Sequence, residues 1–418
     1  MAQLIVNGNK KLSGKISVQG AKNSVLPILA GAFLCDGECV ISNCPNISDV
    51  DSSIKILEYL GCTCKRQEKC VIIDSPTANS YTIPDYLMRE MRSSVVFLGA
   101  VLGKIGNAVI SSPGGCELGP RPIDLHLSSL KKMGVEITEE HGFLYCTAPH
   151  GLIGTEIHLN FPSVGATENI ILAAVTAKGK TVIHNAAREP EISDLADFLN
   201  SAGAKIYGCG SDTIYITGVQ KLHGTFHNII PDRIVATTYI CCAAITGGKI
   251  MLDNVMPSHM VSCLSLFREA GCEIFVNDKT LTITAPKKIN RVPNVRSLVY
   301  PGFPTDAGPL IIAMLSLAQG TSVFVENIFE NRFRYVDELN RLGTNIKTEG
   351  KIAIIEGVDA LSGAQCKSTD LRGGAALVTA ALAADGETVI NDISHILRGY
   401  DDIVGNLTAL NAQIKIKD

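Results

Sequence analysis

Leu57-Glu58-Tyr59-Leu60-Gly61-Cys62 is a helix-like run that reaches a glycine and passes into an alternating strand. The pattern returns at residues 130–135 around Gly134, 199–204 around Gly203, 267–272 around Gly271 and 339–344 around Gly343. The sixth copy spans residues 407–412, with Asn411 in the glycine's place. Glycine and asparagine tolerate the left-handed conformation that ends a helix, so each copy predicts a helix stop followed by a strand. The copies are spaced by 73, 69, 68, 72 and 68 residues. Each is preceded by a short strand after a glycine, as in Gly37-Glu38-Cys39-Val40-Ile41, Gly179-Lys180-Thr181-Val182-Ile183 and Gly386-Glu387-Thr388-Val389-Ile390. The unit therefore reads strand, loop, helix, glycine, strand hairpin, second helix. Such regular self-similarity marks a repeat architecture. Six units of about 70 residues predict an α/β protein of two domains with three units each and a cleft between them. Apolar stretches such as 94–102 and 167–177 are expected to be largely buried helices, and Pro231-Asp232-Arg233 to mark the crossing between the halves.

The composition narrows the class. The 418 residues are 46% hydrophobic and 19% charged, which fits a globular chain and not a disordered one. A net charge of -4 and the absence of tryptophan argue against a nucleic-acid partner. The apolar run from Val25 to Leu34 is too short to span a bilayer, which takes roughly 20 residues. The first residues lack the apolar core of a signal peptide, so a cytoplasmic protein with no membrane partner is expected. Fourteen cysteines show neither zinc-site spacing nor a following histidine pair. They read as buried thiols in a reducing compartment, with Cys35, Cys39 and Cys44 loosely clustered.

One cysteine stands apart. Ser112-Pro113-Gly114-Gly115-Cys116-Glu117-Leu118-Gly119-Pro120-Arg121-Pro122 has three glycines and three prolines and no helical or strand period. It reads either as a long turn or as a mobile loop presenting Cys116 beside Arg121, where a cation favours the reactive thiolate. Arg92, Arg121, Arg188, Arg233, Arg332, Arg372 and Arg398 all sit in strand-to-helix loops, and Lys22 precedes Asn23 at a helix start. Equivalent loops of a repeat fall on one face, so these cations are candidates to bind a polyanion together. Asp306, in Gly302-Phe303-Pro304-Thr305-Asp306, is either a helix N-cap or a carboxylate facing a pocket. Lys287-Lys288 reads as a solvated patch.

The ordered phrases are more specific than any one of them. Gly20-Ala21-Lys22-Asn23, Met91-Arg92-Ser93-Ser94, Pro113-Gly114-Gly115-Cys116, Arg121-Pro122-Ile123-Asp124-Leu125-His126 and Ser163-Val164-Gly165-Ala166-Thr167 come first. Arg188-Glu189-Pro190-Glu191-Ile192, Pro231-Asp232-Arg233-Ile234, Pro301-Gly302-Phe303-Pro304-Thr305-Asp306, Phe329-Glu330-Asn331-Arg332-Phe333, Asp370-Leu371-Arg372 and Arg398-Gly399-Tyr400 follow. Across residues 4–414 the chain resembles the UDP-N-acetylglucosamine 1-carboxyvinyltransferase family, which carries out the first committed step of peptidoglycan synthesis. The resemblance implies two inside-out α/β barrel domains, each of three βαβαββ repeats. One would be residues 22–230 with the Cys116 loop, the other 1–21 plus 231–418, with the active site in the cleft between them.

The family reaction transfers the enolpyruvyl group of phosphoenolpyruvate to the 3′-hydroxyl of UDP-N-acetylglucosamine and releases phosphate, with no cofactor or metal. By resemblance Cys116 is the general acid, Asp306 accepts the hydroxyl proton and Lys22 is the third catalytic residue. Lys22, Asn23, Arg121 and Arg398 would bind phosphoenolpyruvate. Arg92, Arg121, Pro122, Ile123, Asp124, Leu125, Ser163, Val164, Gly165, Asp306 and Ile328 would contact the nucleotide sugar. Fosfomycin, an epoxide phosphonate that alkylates the family's loop cysteine, would be a covalent inhibitor. The chain departs from the family pattern at Val235 and Thr237, where the family usually has Glu and Gly, at Ala307 and Gly308, where it has Met (or Leu) and Gln, and at Leu397, where it has Asp. These departures predict a weakened shell around the catalytic residues and leave a weakly active or inactive nucleotide-sugar-binding regulator as an alternative. The related 3-phosphoshikimate 1-carboxyvinyltransferase has an Asn-Gly-Thr-type phrase and no catalytic cysteine, which this chain does not match.

Overall fold

The structure, a computed structural model, describes residues 2–75, 78–111 and 123–417. These residues form two compact units, one within 20–230 and the other made of 2–19 with 231–417. Each has its own apolar core, running from Ala21 to Ile229 in the first and from Leu4 to Ile414 in the second.

Among the described residues the six repeats become six sheets of three or four strands, three per unit, beside three short two-stranded pairs. In the first unit, Phe226–Asn228, Glu38–Ser42, Cys70–Asp74 and Thr63–Gln67 lie side by side in that order, as do Glu156–His158, Lys180–His184, Thr213–Thr217 and Lys205–Tyr207. The edge strand named first is parallel to its neighbour and the other pairings are antiparallel. In the third sheet, Asn107–Ser111, Phe143–Thr147 and Glu136–Glu140, the edge slot is held by a single parallel bridge from Thr82 to Val109. The second unit repeats the plan around Lys249–Asp253, Thr321–Val325 and Glu387–Asn391. Its last sheet is completed from the far end of the chain. Gln3–Asn7 lies between Glu387–Asn391 and Gln413–Lys417, antiparallel to both, with Leu4 opposite Ile390 and Ile416.

Three helices fill the centre of each unit. In the first they are α1 (Lys22–Ala32), α2 (Phe97–Ile105) and α3 (Val164–Ala174); in the second, α4 (Arg233–Ile245), α5 (Gly308–Leu315) and α6 (Leu371–Ala381). A helix that is apolar on nearly every side has to be enclosed. α3 accordingly has every residue from Ala166 to Ala174 buried, and α5 is buried from end to end. α2 and α3 meet almost backbone to backbone, because a Cβ at Gly99 would stand 2.3 Å from the Asn169 carbonyl oxygen. The second helix of each repeat, such as Ser48–Tyr59 or Pro190–Ser201, lies outside and buries one face.

The expected helix stops are all present. Gly61, Gly134, Gly203, Gly271 and Gly343 have φ of 100°, 92°, 101°, 94° and 89°, and Asn411 has 69°. Every described cysteine is a free thiol. Burial pushes Cys62, Cys64, Cys209 and Cys242 up to about 12, well away from the thiolate. Cys39 is lowered, chiefly by a hydrogen bond with Cys35, but it is wholly enclosed. Among the described residues no helix is long and apolar enough to cross a membrane.

Candidate active site

In the first unit the expected residues gather around the entrances of the central helices. Lys22 is the first residue of α1, whose N-cap, Ala21, has no side chain to satisfy the free amides of the first turn. Those amides carry partial positive charge and the Lys22 ammonium adds a full one. The ammonium lies 2.6 Å from the Asp49 carboxylate, with side chains 11% and 4% exposed. Asn23 is exposed. Ser24 donates to the Asp194 carboxylate, which also accepts from His227 Nε2 at 2.9 Å and from the Ile230 amide at 3.3 Å. The first turn of α1 is thereby tied to the outer helix and to the last strand of its unit.

Arg92 opens the 3-10 turn Arg92–Val96, which packs against α1 and α3. Its charge acts on His126. Burial first, and Arg92 second, depress that imidazole to about 4, with Asp124 opposing. The ring is thus neutral near pH 7. Asn169 Nδ2 donates to its Nδ1 at 2.7 Å and to the Val95 carbonyl at 2.9 Å, while Asn169 Oδ1 accepts from the Gly99 amide at 2.6 Å. The ring proton is therefore on Nε2. A Cβ at Gly165 would stand 3.1 Å from His126 Cε1, so glycine lets the start of α3 approach this ring. Ser163 caps α3 by accepting from the Ala166 amide at 3.3 Å. Ile123 and Leu125 are half-buried and Asp124 exposed at the start of Asp124–Lys132. Arg92, Ile123-Asp124-Leu125 and Ser163-Val164-Gly165 are in this way brought together around His126 and Asn169. Cys116, Arg121 and Pro122 lie outside the described residues.

In the second unit Asp306 is not a helix N-cap. It sits in the 3-10 turn Thr305–Ala307 and is gripped from both sides. Arg332 Nη2 lies 3.0 Å from Oδ1, and Arg372 Nε lies 3.2 Å from Oδ2. Neither arginine is a solvated surface cation; both are almost fully buried. Burial works against the charge of Arg372, but Asp306, Tyr400 and Asp232 together outweigh it and raise its pKa. The central helices α4 and α6 are capped by Asp232 and Asp370. Asp232 accepts from the amides of Ile234 and Val235, and Asp370 from those of Arg372 and Gly373.

Glu326 is the hub of the neighbouring loop. Its buried carboxylate accepts from Ser297 Oγ at 2.7 Å, Thr305 Oγ1 at 2.8 Å and the amides of Ile328 and Phe329 at 2.7 and 3.1 Å. It thereby sets the turn before Asp306 and the backbone at Ile328 together. Arg398 is half-buried and follows the short helix Ser394–Leu397.

Several of these residues were not legible as functional. Asp49, Asn169, Asp194 and Glu326 stand in no motif that marks them; the only signal was that Asn169, Asp194 and Glu326 each lie within three residues of a family phrase. Arg188, read from the sequence as a polyanion candidate, is exposed and pairs with Asp212 at 3.4 Å. The departures are accommodated by the packing. Val235, Thr237 and Ala307 are fully enclosed, and Thr237 Oγ1 donates to the Arg233 carbonyl at 2.8 Å. Gly308 faces the Phe324 ring, where a Cβ would come within 2.7 Å. Leu397 is 39% exposed.

The chain matches the EPSP synthase (3-phosphoshikimate 1-carboxyvinyltransferase) family over residues 6–407. It is 50% identical to UDP-N-acetylglucosamine 1-carboxyvinyltransferase 2 of Caldanaerobacter subterraneus subsp. tengcongensis, over 99% of both chains. It is 47% identical to UDP-N-acetylglucosamine 1-carboxyvinyltransferase 1 of Symbiobacterium thermophilum, over 98% of this chain and 94% of that one. Among solved structures, the enolpyruvyl transferase NikO from Streptomyces tendae superposes with a TM-score of 0.90 at 24% identity, covering 100% of this chain and 99% of that one. EPSP synthase from Acinetobacter baumannii gives 0.78 at 19%, covering 100% of both chains. These two likenesses carry the enolpyruvyl transferase fold; the full-length identity to the carboxyvinyltransferases carries more, and by it the chain belongs to the UDP-N-acetylglucosamine 1-carboxyvinyltransferase family.

Proposed function

We propose that the chain transfers the enolpyruvyl group of phosphoenolpyruvate to the 3′-hydroxyl of UDP-N-acetylglucosamine, releasing phosphate, as the first committed step of peptidoglycan synthesis. The observation that carries this reading is the full-length identity of 50% to a transferase of that name. The regulator and the 3-phosphoshikimate enzyme have no comparable support. The buried grip of Arg332 and Arg372 on Asp306 supports an intact site and speaks against the inactive alternative.

In the addition step the sugar oxygen bonds to the central carbon of phosphoenolpyruvate while the methylene carbon takes a proton from Cys116. Asp306 accepts the hydroxyl proton. Elimination then returns a proton from the methyl carbon to the Cys116 thiolate and expels phosphate, restoring the double bond in the product. Lys22, Asn23, Arg121 and Arg398 hold the small polyanion, which needs several fixed positive groups. Arg92, Pro122, Ile123, Asp124, Leu125, Ser163, Val164, Gly165 and Ile328 hold the nucleotide sugar. The two arginines on Asp306 fix the direction of its carboxylate, which proton transfer requires. The protein works in the cytoplasm, where phosphoenolpyruvate is available.

Phosphate release tests the reaction. It is expected only when phosphoenolpyruvate and UDP-N-acetylglucosamine are both present, and not with 3-phosphoshikimate as acceptor. No release with the first pair would overturn the reading. Fosfomycin with the nucleotide sugar is expected to label Cys116 alone among the fourteen thiols, since burial keeps most of the others protonated. Peptide mapping that finds the label elsewhere would remove Cys116 from the mechanism.

A further inference from the structure

Gln19 has no place in the reaction, in the phrases that mark the family or in either apolar core, yet it is 94% enclosed, with a relative exposure of 6%. Its amide grips one loop twice. Nε2 donates to the Gly399 carbonyl at 3.1 Å, and Oε1 accepts from the Asp401 amide at 2.8 Å. The backbone is thus pinned on both sides of Tyr400, and Arg398 is the residue just before the pinned stretch. Tyr400 anchors the same loop from within, its hydroxyl lying 2.8 Å from Thr238 Oγ1. The main chain of Gln19 is itself fixed, because its carbonyl accepts from the Asp232 amide at 2.9 Å. Gln19 is the last residue of its unit before the chain crosses to the other, and Asp232 lies just after the return crossing.

The loop needs such a grip. The helix before it is only Ser394–Leu397, one turn, with Gly399 and Tyr400 amides both closing on the Ile396 carbonyl. Leu397 stands where the family usually has an acidic side chain, and being apolar it makes no hydrogen bond to steady the neighbouring arginine. Gly399 has no side chain to hold, since a Cβ there would meet Leu371 at 2.7 Å. A primary amide is the one uncharged side chain that offers a donor and an acceptor side by side. It matches a carbonyl and an amide two residues apart.

We infer that Gln19 is a positioning residue for phosphoenolpyruvate use: its paired hydrogen bonds hold residues 399–401 and so aim Arg398 at the anion. This rests on the reading of Arg398 as part of the phosphoenolpyruvate clamp. It assigns to Gln19 the support that Leu397 does not give.

The test is steady-state kinetics on Gln19→Met, which keeps the length of the side chain and removes both hydrogen bonds, beside Gln19→Glu and Arg398→Ala. A carboxylate still accepts from Asp401 but does not donate to Gly399, so Gln19→Glu serves as a second probe if Gln19→Met folds poorly. In both Gln19 variants KM for phosphoenolpyruvate is expected to rise about tenfold or more, because misplacing a binding group by a fraction of an ångström is costly. KM for UDP-N-acetylglucosamine should stay within about twofold and Tm within a few degrees. If Arg398→Ala raises KM for phosphoenolpyruvate and the Gln19 variants do not, the inference is overturned alone. Equal changes in both KM values with a large fall in Tm would also overturn it, by showing a general structural role. If Arg398→Ala itself leaves KM for phosphoenolpyruvate unchanged, the clamp reading fails and takes this inference with it.

Discussion

At the scale of single residues, several candidate groups in each unit are enclosed and paired. His126 shows what enclosure does. Its pKa falls to about 4, first through burial and then through Arg92, while the unfolded chain binds the proton near 6.5. The unfolded state therefore takes up the proton first as pH falls. The stability tied to the neutral ring is fully present above pH 6.5 and is lost progressively towards pH 4. The difference amounts to about 3 kcal/mol. Denaturant unfolding at pH 7.5 and 4.5 should show that loss in the native protein and a smaller one in His126→Gln. An identical pH dependence in the two would mean that the ring is not held neutral. Asp306 shows the other side of enclosure. Its two arginines come from positions 26 and 66 residues further along the chain. A sequence displays each of the three but not their meeting, and that is why Asp306 read equally well as a helix cap.

At the scale of elements, far more was legible. The helix stops at Gly61, Gly134, Gly203, Gly271, Gly343 and Asn411 depend on backbone conformation within a few residues, and the residue type reports that directly. The apolar runs at 94–102 and 167–177 lie largely in the buried helices α2 and α3 for an equally local reason, although residues 94–96 form a 3-10 turn and α3 stops at Ala174. The hydrogen bond from Ser24 to Asp194 spans 170 residues, and no local pattern encodes it. The departures in α4 and at the start of α5 also needed the packing to be understood. They read as lost support, yet Val235 is fully enclosed and Gly308 abuts Phe324. Restoring the family-like residues should therefore harm this chain. Val235→Glu puts a carboxylate into an apolar enclosure, and Gly308→Gln forces atoms into the Phe324 ring. Each is expected to cost about 2–4 kcal/mol. Thermal unfolding of the two variants checks this, and an unchanged or higher Tm would show that the core has room for the larger side chains.

At the scale of the whole molecule, two apolar cores each close a ring of three repeats, but they are closed differently. The first unit is continuous in sequence, with Phe226–Asn228 returning to pair with Glu38–Ser42. The second is closed by Gln3–Asn7, whose Leu4 and Val6 are buried between strands almost 400 positions away. Deleting residues 2–8 should leave Glu387–Asn391 and Gln413–Lys417 without the strand between them. Limited proteolysis is expected to cut the second unit rapidly while the first survives as a fragment of roughly 210 residues, since domains generally fold as units. Equal resistance of the two units would show that the strand is dispensable. The same arrangement has a consequence for birth on the ribosome. Gln3–Asn7 emerges about 380 residues before the first of its neighbours, Glu387–Asn391. At about 5–20 residues per second it waits unpaired for roughly 20–80 s, an apolar edge with no partner. During that time the whole of residues 20–230 is made and is free to fold. The unit that holds Gln3–Asn7 is thus finished after the other, and a nascent chain paused near residue 350 would carry one mature unit and one sticky, unfinished one in need of a chaperone.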